Sequence, residues 1–165
     1  MLLKNYFLEQ LEREVAASRK VIQRVPEGQN AWKPHPRSME MGYLAALVAT
    51  MPGWPSLMID RDDLDLSDPT FRTKPLSSRA ELLAALDDAF AHARKSLENA
   101  SEAHLNGNWQ LKAGDQVLNE GPRYRMIADA VLSHLAHHRG QLTVYLRLNE
   151  ASVPALYGPS ADEMH

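Results

Sequence analysis

Apolar residues recur every three or four positions in four separate segments of this 165-residue chain. That spacing is the period of one face of an α-helix, whereas a half-buried strand has apolar residues at every second position. The first stripe ends at Pro26-Glu27-Gly28, and stretches containing proline or glycine also separate the later segments. Four helices with one apolar face each predict an all-α fold, a four-helix bundle.

The helix bounds follow from the stripes and from the residues that start and stop helices. Ser38 is the expected N-cap of the second helix. Ser78 is the expected N-cap of the third, where Glu81 would complete a capping box. The predicted helices cover about residues 2–25, 39–59, 77–101 and 123–148.

Two segments between the helices lack helical periodicity. Residues 60–75 are acidic and contain proline, and they are predicted to be a loop. Residues 104–122 surround Gly114-Asp115, a pair that suits a type II′ turn. We therefore expect any strand to lie in a short hairpin within 104–122.

Length and composition predict one soluble domain, residues 1–165. Eighteen Lys and Arg against 21 Asp and Glu give a net charge of −3, which disfavours nucleic acid or an anionic membrane as a partner. The chain has no cysteine, which excludes disulfides, thiolate metal sites and cysteine nucleophiles. Lys4 and Glu9 interrupt the N-terminal apolar residues, so we expect no signal peptide and a cytoplasmic protein.

The chemistry-bearing residues lie in the last predicted helix, which contains His134, His137 and His138. His134 and His138 are one helical turn apart and fall within the inward stripe, whereas His137 falls at its edge. Two imidazoles on one inward face can ligate a divalent metal, with zinc, nickel or iron as candidates. The alternative is a pair of buried histidines that hydrogen-bond to Ser, Tyr or backbone groups, since two ligands fall short of the three that catalytic zinc usually has.

Four blocks of the sequence are distinctive: residues 31–38 (AWKPHPRS), 42–54 (GYLAALVATMPGW), 134–147 (HLAHHRGQLTVYLR) and 153–163 (VPALYGPSADE). Together they resemble the DinB/YfiT-like family. The resemblance runs in order over nearly the whole chain. It implies a helical bundle, commonly a homodimer, with a three-histidine metal site between helices.

Two of the family's three histidines match His134 and His138. The third matches the position of Leu47, in the block Leu44-Ala-Ala-Leu-Val-Ala49. Leucine cannot ligate a metal, so the resemblance implies a degenerate site in which metal is weakly held or absent. We also expect a homodimer, because the first helix is apolar on more than one side.

Two functions stay open at this point. The first is a metal-dependent enzyme, transferase- or hydrolase-like, acting on a small molecule such as a thiol; Arg139 would be the nearest cation to orient an anionic substrate, unless it is a solvated helix-edge residue. The second is a metal-free module that binds a small molecule or mediates dimerisation. The sequence names neither the substrate nor the catalytic residues.

Overall fold

The first predicted stripe forms helix α1, Leu3–Ile22. The computed structural model describes residues 2–164. Phe7, Leu11 and Val15 of this stripe are buried, as the spacing predicted. The helix ends three residues earlier than expected, but Val25 in the following turn is still buried.

The second predicted helix is divided into three parts. Helix α2, Met41–Thr50, is followed by a 3₁₀ turn, Met51–Gly53, and by helix α3, Trp54–Asp60. Pro52 and Pro55 have no backbone N–H to donate, which explains the interruption. Ser38 is not the N-cap, because α2 begins after Glu40 and has no side-chain cap.

The third predicted helix is α4, Arg79–Asn99. Its capping box is confirmed: the Ser78 side chain accepts from the backbone of Glu81, and the Glu81 side chain accepts from the backbone of Ser78. A short helix α5, Glu102–Asn106, follows with Ser101 as its N-cap.

The last predicted helix is continuous in space but not uniform. Helix α6, Arg123–Ile127, leads through a π-helical segment, Ala128–Ser133, into helix α7, His134–Leu148. Such π segments are rare and frequently occur at functional sites. Here the π segment directly precedes the first histidine of the pair.

A small three-stranded sheet corrects the all-α prediction, so the chain is mostly helical with a sheet. Strand β1, Asp63–Asp65, pairs in parallel with β2, Asn108–Ala113, and β2 pairs antiparallel with β3, Gln116–Pro122. The hairpin expected within 104–122 is confirmed, and Gly114 has the positive φ of 59° that the first turn residue of a type II′ hairpin needs. Strand β1 lies inside the predicted loop and is too short to give a periodic signal.

Helix α2 lies at the centre of the fold. It contacts α1, α4 and α7, and only Tyr43 and Thr50 of its ten residues are not buried. The segment Met41–Asp60 is long and apolar enough to suggest a membrane span by composition alone. However, 67% of it is buried inside the structure, as in the core helix of a soluble domain.

Arg123 joins the sheet to the helices. Its buried guanidinium donates to the carbonyls of Met58 at 2.8 Å and Asn108 at 2.8 Å, and to the Asp62 carboxylate at 2.7 Å. One side chain thus fixes the end of α3, the start of β2 and the segment that enters β1. These three elements form much of the pocket described next.

Candidate functional site

A pocket of about 400 Å³ lies between the sheet, α2, α3 and the start of the last helix. Pockets that bind small molecules commonly have volumes of about 300–1,000 Å³ and mostly apolar walls. Helices α2 and α3 contribute Leu47, Trp54, Leu57 and Met58. The opposite wall comes from the sheet and the segment after β1, with Leu64, Leu66, Phe71, Trp109 and Leu111.

His134 is the imidazole that lines this pocket. Its ring centroid lies 4.4 Å from that of His138 and 5.9 Å from that of Trp54. The structure therefore brings together the two histidines that the sequence singled out. His137 lies near His138, at a centroid distance of 5.2 Å, but is exposed.

Each histidine of the pair has a hydrogen-bond partner on its own helix. His138 Nδ1 lies 2.8 Å from Gln141 Oε1, so Nδ1–H donates to the amide oxygen, and in a neutral imidazole this tautomer has its lone pair on Nε2. Burial is the main cause that lowers the pKa of His134, and the neighbouring His138 lowers it further. A hydrogen bond with the backbone of Ala130 acts in the opposite direction. His134 is therefore biased towards the neutral form that can ligate or accept a proton.

Position 47 lies on the same pocket as His134, as the resemblance implied. Leu47 is 7% exposed, and its apolar side chain cannot ligate a metal. In residues 2–164, no three His, Asp or Glu side chains are grouped closely enough to hold a metal ion. The donor set therefore does not fit a complete three-histidine centre.

Trp109, one of the residues that line the pocket, carries an unpaired polar atom. Its side chain is 1% exposed, and its indole Nε1 is the one buried side-chain polar atom without a partner in the described part of the chain. A buried donor without an acceptor costs about 1–3 kcal/mol. A bound water or a ligand atom that reached the indole would remove that cost.

Arg72 supplies the formal charge at the pocket lining. It is exposed, and no Asp or Glu lines the pocket among the described residues. Thr73 and Asn119 add uncharged polar groups. The pocket is thus an apolar cavity with a positive rim and an imidazole in its wall.

Arg139 is neither a cation at the pocket that could orient a substrate nor a solvated helix-edge residue, the two interpretations that the sequence left open. It is 1% exposed, so it is not a solvated residue, and it points to α1 instead of the pocket. Its guanidinium binds the Glu14 carboxylate and the Tyr157 hydroxyl, and it donates to the Glu14 carbonyl at 3.0 Å and to Ser18 Oγ at 3.1 Å. Arg139 therefore holds α7, α1 and the C-terminal segment together.

Sequence reasoning missed the wall formed by β1 and the segment that follows it. Leu64, Leu66 and Phe71 line the pocket from a stretch that was predicted to be an acidic loop. The sequence contained a signal for this wall, because apolar residues in an otherwise charged loop commonly pack against another part of the protein. Only the fold could show that this surface lies beside His134.

A sequence profile of the DinB family matches residues 1–165. The chain belongs to the DinB family. Comparison with curated proteins gave no significant match.

Solved structures of DinB-like proteins share the fold. One from Bacillus cereus has a TM-score of 0.70 at 17% identity and covers 92% of this chain and 95% of its own. One from Bacillus subtilis has a TM-score of 0.66 at 17% identity, with 90% and 95% covered. A DinB family member from Exiguobacterium sibiricum has a TM-score of 0.63 at 17% identity, with 90% and 92% covered. At this identity the likeness concerns the fold alone.

Proposed function

We propose that this DinB-family protein binds a small, mostly apolar molecule in the pocket beside His134, without depending on a tightly bound metal. The observation that carries the proposal is that Leu47 and His134 line one pocket of about 400 Å³. Leucine at position 47 cannot ligate a metal, and it adds apolar surface that an organic molecule can contact. The unpaired indole N–H of Trp109 offers such a molecule a hydrogen bond.

The binding test uses the neutral fluorescent probe N-phenyl-1-naphthylamine. We expect one probe per chain, with a rise in probe fluorescence on transfer from water to the pocket. Ala130→Phe fills the pocket from the π segment and should weaken binding about tenfold or more, equivalent to about 1.4 kcal/mol. Ala84→Phe adds the same bulk to an exposed position of α4 and should leave binding unchanged.

The metal test is elemental analysis of the purified protein, followed by calorimetric titration with zinc. We expect substoichiometric metal after purification and weak zinc binding. One tightly bound zinc per chain would show that another group replaces the missing histidine, and the metal-free proposal would be wrong.

A second candidate function is a metal-dependent enzyme acting on a small molecule such as a thiol. The observation in its favour is the hydrogen bond from His138 to Gln141, because metal-ligating histidines usually donate their second ring N–H to such a partner. His134 and His138 would then be the ligands. The same zinc titration separates the two candidates.

A homodimer stays part of the proposal. Leu2, which precedes α1, is 48% exposed and Tyr6 of α1 is 40% exposed, so apolar surface is available at the start of this helix. Light scattering at micromolar concentration tests this point, since a monomer would have a mass of 18.5 kDa.

A further inference from the structure

We propose that the pocket selects an anionic amphiphile, a molecule with an apolar body and one acid group that lies against Arg72. This inference rests on the proposed function and names the chemical class of its ligand. The apolar body would lie against the walls of the pocket, and the acid group would remain at the solvent-exposed rim.

The charges around the pocket are the first argument. Arg72 lines the pocket, and no carboxylate lines it in the described part of the chain. An acid group therefore meets a cation and no like charge there, whereas an ammonium group meets only repulsion. The chain as a whole has a net charge of −3, so this positive rim is a local feature.

The second argument is that the neighbouring acids are already engaged. Arg72 follows an acidic stretch, and from the sequence one would expect those acids to neutralise it. Each aspartate in residues 60–68 instead has another donor: Asp60 accepts from Ser96, Asp62 from Arg123, Asp63 from Lys112, Asp65 from the backbone of Ser67 and Gly114, and Asp68 from the backbone of Thr70. The backbone N–H of Arg72 donates to the Pro69 carbonyl, but its guanidinium has no ion-pair or hydrogen-bond partner among residues 2–164.

The third argument is the position of Arg72 relative to the apolar wall. Its neighbour Phe71 and the nearby Leu66 line the same pocket. Arg61, which does not itself line the pocket, has its guanidinium carbon 4.9 Å from the centre of the Phe71 ring. An acid group at the rim would thus lie next to the surface that holds the apolar body.

The experiment compares three ligands with the same chain length and different head groups. Octanoate, octan-1-ol and octylammonium compete with N-phenyl-1-naphthylamine at pH 7.5 and low salt. We expect octanoate to bind about fivefold more tightly than octan-1-ol, the size of one solvent-exposed charge pair, and octylammonium to bind most weakly. Added salt should reduce the preference for octanoate.

Arg72→Gln should bring octanoate to the affinity of octan-1-ol. Lys74→Gln removes an exposed charge two residues away that does not line the pocket, and it should keep the preference. Both positions are exposed, and circular dichroism confirms that the variants fold.

The outcomes separate this inference from the proposed function. If octan-1-ol displaces the probe as well as octanoate does, the pocket binds apolar molecules but the inferred charge selectivity is wrong. A preference for octanoate that survives Arg72→Gln would also overturn the inference. If neither the probe nor any of the three ligands binds, the proposed function fails with it.

Discussion

The polar residues on the two sides of helix α7 differ in how many hydrogen-bond partners they have. On the side that faces α1, the Arg139 guanidinium is paired with Glu14, Ser18 and Tyr157. On the side that carries the histidine pair, of which His134 lines the pocket, each imidazole has one hydrogen-bond partner, and both partners belong to the same helix. The residues are less than two turns apart and share one backbone.

This difference separates polar residues that hold the fold from polar residues that face a ligand. A buried charge is stable only when its hydrogen bonds are satisfied, so a structural arginine acquires a full set of partners. Imidazoles that retain a free nitrogen beside a cavity can accept a proton, a metal or a ligand donor. We therefore assign Arg139 to stability and the histidine pair to the site.

The largest expected effect comes from restoring the third imidazole. Leu47→His should raise zinc affinity by several kcal/mol, because complete zinc sites reach about 10–16 kcal/mol and one of three ligands accounts for a substantial part. Calorimetric titration of wild type and variant with zinc measures the difference. The observation behind this expectation is that position 47 lines the same pocket as His134.

The control for this gain is His138→Ala in the Leu47→His protein. It should return zinc affinity towards the wild-type level, since two ligands remain again. If Leu47→His gains nothing, position 47 does not face the histidine pair, and the match of the second helix to the family pattern is wrong.

Breaking the buried ion pair between Arg139 and Glu14 should lower the free energy of unfolding. Arg139→Met leaves the Glu14 carboxylate, whose side chain is 13% exposed, without its cation. Loss of one partner from a buried ion pair commonly costs about 3–5 kcal/mol, and we expect about 3 kcal/mol in urea unfolding because Glu14 keeps the Tyr157 hydroxyl.

Arg147→Met is the matched control, since it breaks an exposed ion pair with Asp162 near the end of the same helix. It should change the free energy of unfolding much less than Arg139→Met does. Equal losses for the two variants would remove the distinction between the buried and the exposed pair.

The helical part of the fold was predictable because its signals are local. The apolar stripes predicted the positions of the long helices, and the capping box at Ser78 and Glu81 marked the start of α4. The π segment at Ala128–Ser133 was not predicted, and the sequence did not decide whether Pro52 would kink the second helix or end it. Whether proline kinks or ends a helix, and whether a helix widens, depends on the elements that pack against it.

The candidate site was predictable in part for the same reason. His134 and His138 share a face by helical spacing alone, and the structure places their rings side by side. The pocket wall also includes Leu64 of β1, Phe71 and Arg72, which lie in a stretch without helical periodicity. The position of this stretch depends on the pairing of β1 with β2 and on the contact between Arg123 and Asp62. Such contacts between distant parts of the chain leave no periodic signal.

The hydrogen bond at Gln141 allows a smaller test of the histidine side. In the Leu47→His protein, Gln141→Leu removes the acceptor that orients His138, and zinc affinity should fall about tenfold, as for other outer-shell partners of metal ligands. Gln116→Leu makes the same change at an exposed position of the hairpin and should have no effect on zinc. An unchanged affinity in Gln141→Leu would mean that His138 does not need this hydrogen bond to bind metal.

The smallest expected effect is a pH dependence of stability from His134. Burial and the neighbouring His138 hold its pKa below the ordinary value of 6.5, so between these two values the unfolded chain binds the proton more readily than the folded chain. Protonation therefore favours unfolding, and this contribution to stability is lost as pH falls from about 7 through that window.

The comparison is urea unfolding of metal-free wild type and His134→Gln between pH 7.5 and 5. His134→Gln should reduce the loss of unfolding free energy over this pH range by about a few tenths of a kcal/mol. The effect is small because the half-buried ring is still partly screened by solvent. His92→Gln, at an exposed position of α4, should leave the decline as it is in wild type. If the stability of His134→Gln falls as steeply with pH as that of wild type, the folded protein accommodates the neutral and the protonated imidazole equally well. The contrast between the two sides of α7 would then not extend to proton binding.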